Sequence, residues 1–379
     1  MSGIEDSHKI KTIIWFSWKD SDHPKAGGAE VISSSIMKWL VAEGNNVVLF
    51  TSRPKGLPAF EGKDGYSVYR QGNAITCYPL CVLKYLRGKM NADLIVEEVN
   101  TVPFFISLFT SKPTVLFFHQ LCKEVWFYQL PRTVGAFGFL LEKIWLFLLS
   151  GKSAVPMSNS TRHDLQKHGF QKISSPVIEG VEITPREAFN KTTFKGRILS
   201  FGSIRPMKRT IEQLEAFELA ADKCPTLTLD VFGSGSGSYF ERFMNCLEIS
   251  RHKDKITYRG HMAEGQKAST LQLFDILLMT SVKEGWGLTI TEAATQGVTT
   301  IAYDADGLRD AVKDGVSGVI CKDNSPREMA SEIVKLAQDS KSIKTLAYNA
   351  WEYSFENNLD NTNKSFKQAL FELGIFTNE

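Results

Sequence analysis

Short apolar runs alternate with longer stretches of helical periodicity along this chain, and the alternation occurs twice. Residues 10–18 form a β-branched and aromatic run, 29–42 repeat apolar positions at helical spacing, Gly44 closes that stretch, and 46–51 is the next strand. Further apolar runs fall at 94–96, 114–118 and 153–157. Strand, helix and strand in this rhythm predict a parallel sheet wound on both faces. Residues 173–195, with Pro176, Gly180, Pro185 and several charges, lack sustained periodicity and read as a linker. A second alternation follows at 197–201, 211–221, 227–232, 239–248, 256–259, 271–279, 299–303 and 319–320. The expected fold class is therefore α/β, with two Rossmann-like, doubly wound domains facing a cleft. Ligands of such sheets bind beyond the carboxyl ends of the strands, which makes that cleft the expected active site.

One stretch departs from the alternation. Residues 134–149 are apolar but carry Glu142 and Lys143 and are too short to span a membrane comfortably. Phe137, Phe139, Leu140, Ile144, Trp145 and Phe147 offer a wide apolar face. An amphipathic or buried helix is expected, with contact to a membrane surface as the alternative.

Composition narrows the classes. A length of 379 residues accommodates two domains with separate cores. Lys plus Arg number 44 against 42 Asp plus Glu, so the charge of +2 leaves no nucleic-acid footprint. Six cysteines are scattered without zinc spacing, and no hydrophobic secretion segment opens the chain. A reduced, cytoplasmic enzyme is expected, with the inner face of the cell membrane as a peripheral location.

The most informative segment is Glu284-Gly285-Trp286-Gly287-Leu288-Thr289-Ile290-Thr291-Glu292-Ala293-Ala294. A buried strand precedes it and a helix is expected from Leu288. Gly285 and Gly287 let the backbone approach a ligand, and the helix start offers unpaired N–H groups and a positive dipole end to a diphosphate. Glu292, about two turns further on, can accept bonds from vicinal ribose hydroxyls, while Glu284 lies where a sugar beyond the diphosphate would sit. Helix capping and surface charge form the competing reading.

Other motifs fall at expected strand ends. Gly202-Ser203-Ile204-Arg205-Pro206-Met207-Lys208-Arg209 brings positive charge to a glycine turn, where a diphosphate or plain solvent would meet it. Gly27-Gly28-Ala29-Glu30 opens a helix, either as a phosphate or acceptor loop or as a simple cap. His119 follows an apolar strand, where its imidazole can bond a sugar hydroxyl or serve structure. Gly233-Ser234-Gly235 lacks strict dinucleotide spacing, and Gly260 closes the next strand. Asp304-Ala305-Asp306 matches a metal-binding pair only as a short motif, and no metal is expected there.

With these motifs together, the chain resembles retaining GT-B-fold glycosyltransferases of glycosyltransferase family 4. The resemblance runs over 13–319 and is strongest at 27–30, His119, 158–161 and 284–318. It implies roles residue by residue. Glu284 and His119 would line the donor-sugar pocket, Lys208 and the amides of Gly285, Trp286, Gly287 and Leu288 would meet the distal phosphate, and Glu292 would hold the ribose. Gly202, Gly233, Ser234 and Gly260 would face the nucleotide, and Gly27, Gly28 and Glu30 the acceptor. Ser203 stands where the family has arginine, and Arg205 is a candidate substitute for it. The implied domains are 1–180 for the acceptor, 181–350 for the donor, and a helix over 351–379 that crosses back onto the first.

The implied activity moves a sugar from a nucleoside diphosphate sugar, UDP- or GDP-linked, to an acceptor hydroxyl, by front-face attack and without a metal or other cofactor. The implied partners are that nucleotide sugar and a glycan, lipid carrier or small-molecule acceptor. A hydrolase or epimerase of the same fold, and a non-catalytic nucleotide-binding protein, are the alternatives. A dehydrogenase is disfavoured because no Gly-x-Gly-x-x-Gly follows the first strand.

Overall fold

The structure is a computed structural model and describes residues 11–88, 90–191 and 193–376. The chain divides into two compact units. The first comprises Met1–Leu121, Leu140–Ile178 and Leu359–Glu379, and the second Cys122–Phe139 and Glu179–Asn358.

The first unit is built on a seven-stranded sheet. Its strands are β1 (Thr12–Phe16), β2 (Asn46–Thr51), β3 (Phe60–Lys63), β4 (Tyr66–Arg70), β5 (Leu94–Val99), β6 (Thr114–Phe118) and β7 (Ser153–Pro156), in the order β3-β4-β2-β1-β5-β6-β7. All neighbours are parallel except the β3–β4 hairpin, which adds an antiparallel edge. The periodicity missed that hairpin because alternation over so few residues, with Gly62 inside, gives a weak signal. Ile14, Phe16, Val48, Phe50 and Ile95 pack with Cys81, Tyr85, Phe104 and Ile106 on one side of the sheet. On the other, Phe366 of the helix Leu359–Glu372 packs against Trp15 and Phe117, with ring centroids 5.7 and 5.4 Å apart. The last helix is thus part of the first unit.

The second unit carries a six-stranded, wholly parallel sheet. Its strands β8 (Arg197–Phe201), β9 (Thr228–Phe232), β10 (Ile256–Gly260), β11 (Ile276–Met279), β12 (Thr299–Ala302) and β13 (Gly318–Ile320) lie in the order β10-β9-β8-β11-β12-β13. Near-continuous apolar strands are what burial on both faces requires, and β11 and β12 are buried throughout. The apolar stretch 271–279 reads as one element in sequence but is two, because the helix Lys267–Leu271 ends and a turn intervenes before β11. Residues 122–139 join this unit through Cys122 and Val125, which are buried with Met207.

Each sheet has one point at which the winding reverses, between β1 and β5 and between β8 and β11. The carboxyl ends of these strand pairs are the natural ligand positions of an open parallel sheet.

Candidate functional site

At the switch point of the second unit, β8 runs into the Gly202 turn. Gly202 N–H donates to Phe232 O at 3.0 Å, Ile204 N–H to Ser234 O at 2.9 Å, and Gly233 N–H to Gly260 O at 2.7 Å, so the ends of β8, β9 and β10 are laced together. A side chain at Gly233 would run into the Gly202 carbonyl, and the φ of +152° there is itself a glycine conformation. A 3₁₀ turn, Pro206–Lys208, then reverses the chain, and the Thr280 hydroxyl just beyond β11 donates to Lys208 O at 2.7 Å. Thus fixed, the Lys208 ammonium forms an ion pair with Glu284, from the loop after β11. The Ser281 hydroxyl donates to the same carboxylate oxygen at 2.5 Å. Glu284 N–H donates to Asp306 O at 3.0 Å, and any side chain at Gly307 would strike the Glu284 backbone. Glu284 is held by its own loop and by two other chain segments.

Only Leu288–Thr295 of the signature is helical. Glu292 therefore lies one turn into the helix rather than two turns beyond Glu284, and the loop rather than helical period sets the relation of the two carboxylates. Of the two loop glycines, Gly287 takes the left-handed conformation, with φ +101°, and precedes the helix without a side-chain cap. Trp286 is pinned by a bond from its indole N–H to Thr291 Oγ1 at 2.9 Å. Glu292 pairs with Lys267 Nζ at 2.9 Å, and Lys267 also pairs with Glu264 at 2.9 Å. Burial raises the Glu292 pKa, and Lys267 offsets this only in part. Burial alone would lower the Lys267 ammonium, but the two carboxylates outweigh it and raise its pKa.

Beside this loop, Asp306 gathers cations: Lys283 at 2.6 Å, Lys123 at 3.2 Å and Arg309 at 2.5 Å, while Arg309 also holds Asp304 at 2.5 Å. Against the cost of burial, Lys283 and Lys123 hold the Asp306 pKa at about 2. The Asp-Xaa-Asp motif is therefore spent on ion pairs. Arg205 is exposed, as is Ser203, whereas Arg209 is half-buried and donates to the Tyr128 hydroxyl at 2.9 Å. Glu179 of the linker is buried, and burial, with repulsion from Glu284 and Asp310, pushes its pKa up to about 8.

The first unit holds the remaining candidates. His119 follows β6 and is buried, with Nε2 3.4 Å from Glu98 Oε2. Glu98 also accepts from the Trp15 indole N–H and from Ser17 Oγ at 2.7 Å. Glu30 accepts from Gly27 N–H at 2.6 Å and pairs with Lys19 at 3.0 Å, so one oxygen caps the helix Gly28–Ala42 while Oε1 has no partner. Gly27 is extended, with φ −151°, a conformation open to any residue. The fully buried Arg70 binds Asp20 at 2.5 Å, Asp22 at 3.2 Å and Glu61 at 2.5 Å, anchoring the loop that leads to Gly27.

Glu284 and Lys208 are brought together, Glu292 and the Gly287 turn lie in the same unit, and Glu30 and His119 lie in the other unit. Sequence reasoning missed Lys267, Ser281, Glu179 and the role of Glu98. Only Glu98 carried a signal: two successive acids, Glu97 and Glu98, interrupt an apolar strand.

Residues 183–353 match the family model described as Glycosyl transferases group 1. The poly(glycerol-phosphate) alpha-glucosyltransferase of Bacillus subtilis (strain 168) is 27% identical over 194 residues, which cover 50% of this chain and 27% of that protein. The chain spans from about a quarter to about half the length of such curated relatives, 27% to 52%. Among solved structures, sucrose-phosphate synthase from Thermosynechococcus elongatus matches with a TM-score of 0.76 at 18% identity, over 96% of this chain and 99% of that one. Anabaena Alr3699/HepE, solved in complex with UDP-glucose, matches with a TM-score of 0.71 at 18% identity, over 95% and 99%. The fold is the GT-B fold of these glycosyltransferase structures, with two Rossmann-like domains.

Proposed function

We propose that this chain is a retaining glycosyltransferase that moves a sugar from a nucleoside diphosphate sugar to an acceptor hydroxyl. The observation that carries the reading is the Lys208–Glu284 pair at the β8–β11 switch point, beside the Gly287-headed helix. An ammonium beside uncapped helix amides suits a diphosphate, and a carboxylate held next to it suits the hydroxyls of the attached sugar.

In the reaction, the bond from the anomeric carbon to the β-phosphate oxygen breaks as the acceptor oxygen attacks from the same face. The acceptor proton passes to the departing phosphate oxygen, giving the glycoside and a nucleoside diphosphate. Negative charge grows on that phosphate, and Lys208 with the Leu288 helix start is the fixed positive charge that meets it, so no metal is required. Glu284 orients the sugar, and Glu292 with Lys267 binds the ribose side. Lys267 offsets part of the cost of burying the Glu292 carboxylate, whose oxygens accept hydrogen bonds.

UDP-linked sugars are the first donors to test, since a structure of like fold was solved with UDP-glucose. Thermal-shift and calorimetric titration with UDP, GDP, ADP and their common sugars decides the matter. Binding of one nucleotide, weakened in Glu292→Ala, supports the reading, and failure of all of them overturns it.

The acceptor is a glycan, a lipid carrier or a small molecule. A membrane-surface location is supported by the helix Arg132–Leu149. Its outward face is apolar, with Val134, Phe137, Leu140, Ile144, Phe147 and Leu148 exposed, whereas Glu142 is turned inward. Its exposed charges, Arg132 and Lys143, are both basic. An apolar stripe flanked by cations suits an anionic lipid surface. Among the described residues, no helix is long and apolar enough to cross a membrane.

A further inference from the structure

β5 buries two successive carboxylates, and alternation sends them to opposite faces of the sheet. Glu97 is accounted for by the backbone: it accepts from Phe105 N–H at 2.6 Å and Ser107 N–H at 3.2 Å, capping a turn in which Phe105 has a φ of +60°. Glu98 caps nothing. Its carboxylate faces neighbouring strands, taking the Trp15 indole N–H on one oxygen and Ser17 Oγ, 2.7 Å away, on the other. His119 Nε2 lies 3.4 Å from that second oxygen.

A buried carboxylate with two neutral donors is costly unless a cation or a third donor completes it. His119 is the residue in ion-pair reach. Its ring packs on Phe117, with centroids 4.9 Å apart, and its backbone N–H donates to Val99 O at 3.2 Å. The other acid nearby, Glu30, is committed to Lys19 and Gly27 N–H.

We infer that Glu98 is a positioning residue for His119: it holds the proton on Nε2 and fixes the ring so that Nδ1 is the nitrogen available to a substrate hydroxyl. Which ring nitrogen bears the proton is set by what each nitrogen faces, and Nε2, which has no other partner among the described residues, faces a carboxylate locked by Trp15 and Ser17. The distance of 3.4 Å is long for a hydrogen bond, as such contacts commonly are before substrate closes the site. Burial works against the Glu98 anion, yet His119, Ser33 and Ser17 hold its pKa below the ordinary value. The catalytic consequence rests on the glycosyltransferase reading. The tautomer does not.

The test therefore has two arms on the full chain. Long-range ¹H–¹⁵N spectra of histidine-labelled protein read the tautomer without any assay. The wild type is expected to show His119 as the Nε2–H form, and Glu98→Gln to lose that preference. An Nδ1–H wild type, or a preference unchanged in the variant, overturns the inference whatever the enzyme does. In the second arm, turnover of Glu98→Gln is expected to fall about 10- to 100-fold with little change in donor KM, as for loss of a group orienting a catalytic imidazole. The same change in a His119→Asn background is expected to cost nothing further. Additive losses would show Glu98 acting independently of His119. Should Glu98→Gln fail to fold, Ser17→Ala removes one anchor of the carboxylate and is read in both arms.

Discussion

Lys208 and Glu284, 76 residues apart in sequence, meet as an ion pair because the turn after β8 and the loop after β11 sit side by side where the sheet winding reverses. The Thr280 and Ser281 hydroxyls fix the two partners, one on the Lys208 carbonyl and one on the Glu284 carboxylate. Engaging a diphosphate requires Lys208 to share its charge between Glu284 and phosphate.

Lys208→Ala is expected to lower kcat by about 10²–10³-fold, the usual cost of removing one group that stabilises developing charge, and Glu284→Ala by about 10²-fold through loss of sugar orientation. Circular dichroism should remain unchanged, since both groups lie in loops whose backbones are fixed by other bonds. Steady-state rates within threefold or so of wild type in either variant would remove these residues from the mechanism.

Glu292→Ala is expected to weaken nucleotide binding by about tenfold or more, corresponding to loss of a hydrogen-bonded charged acceptor. Lys267→Met should weaken it too, in spite of adding no bulk at the ribose, because Glu292 then loses its cation partner. Calorimetry with the preferred nucleotide separates the cases: unchanged affinity in Lys267→Met would mean that the pair is structural only.

Glu179 makes stability depend on pH. Its pKa is raised by burial, then by Glu284 and Asp310, from 4.5 to about 8. The folded state thus keeps a proton that the unfolded chain releases, so the contribution is full below about pH 4.5 and lost as pH rises through about 8. Glu179→Gln should escape that loss. Its melting temperature is expected to exceed that of the wild type by several degrees at pH 8.5, and the gap should close towards pH 4.5. Parallel curves for the two proteins would contradict the assignment.

Arg70 is wholly buried among Asp20, Asp22 and Glu61, and Arg70→Met would strand at least Asp20 in the interior. A loss of about 3–5 kcal/mol is expected from breaking such a pair on one side. Urea unfolding measures it, and a loss below about 1 kcal/mol would place the network among weak surface pairs.

If the outward face of the helix Arg132–Leu149 meets lipid, Phe137→Ser with Phe147→Ser should abolish sedimentation with vesicles containing phosphatidylglycerol. Wild-type binding should fall with salt and be weak on phosphatidylcholine. A wild type that ignores both vesicles, or that dimerises through this face, would exclude the lipid surface.

The strand rhythm of 46–51, 114–118 and 197–201 was legible because parallel strands buried on both faces must be continuous apolar runs, a property of local sequence. The turn at Gly287 and the helix that carries Glu292 were legible for a related reason, since a turn into a helix is local geometry, whereas a loop sets the relation of Glu292 to Glu284. The partners of these residues were not. Lys267 reaches Glu292, Lys208 reaches Glu284, and Asp306 collects Lys123 from far along the chain, none through any spacing that a sequence displays. Strand order is what brings them together. It is decided by how the sheet packs as a whole, so the sequence by itself determined which groups the chain offers, and only the tertiary structure decided which of them share a charge.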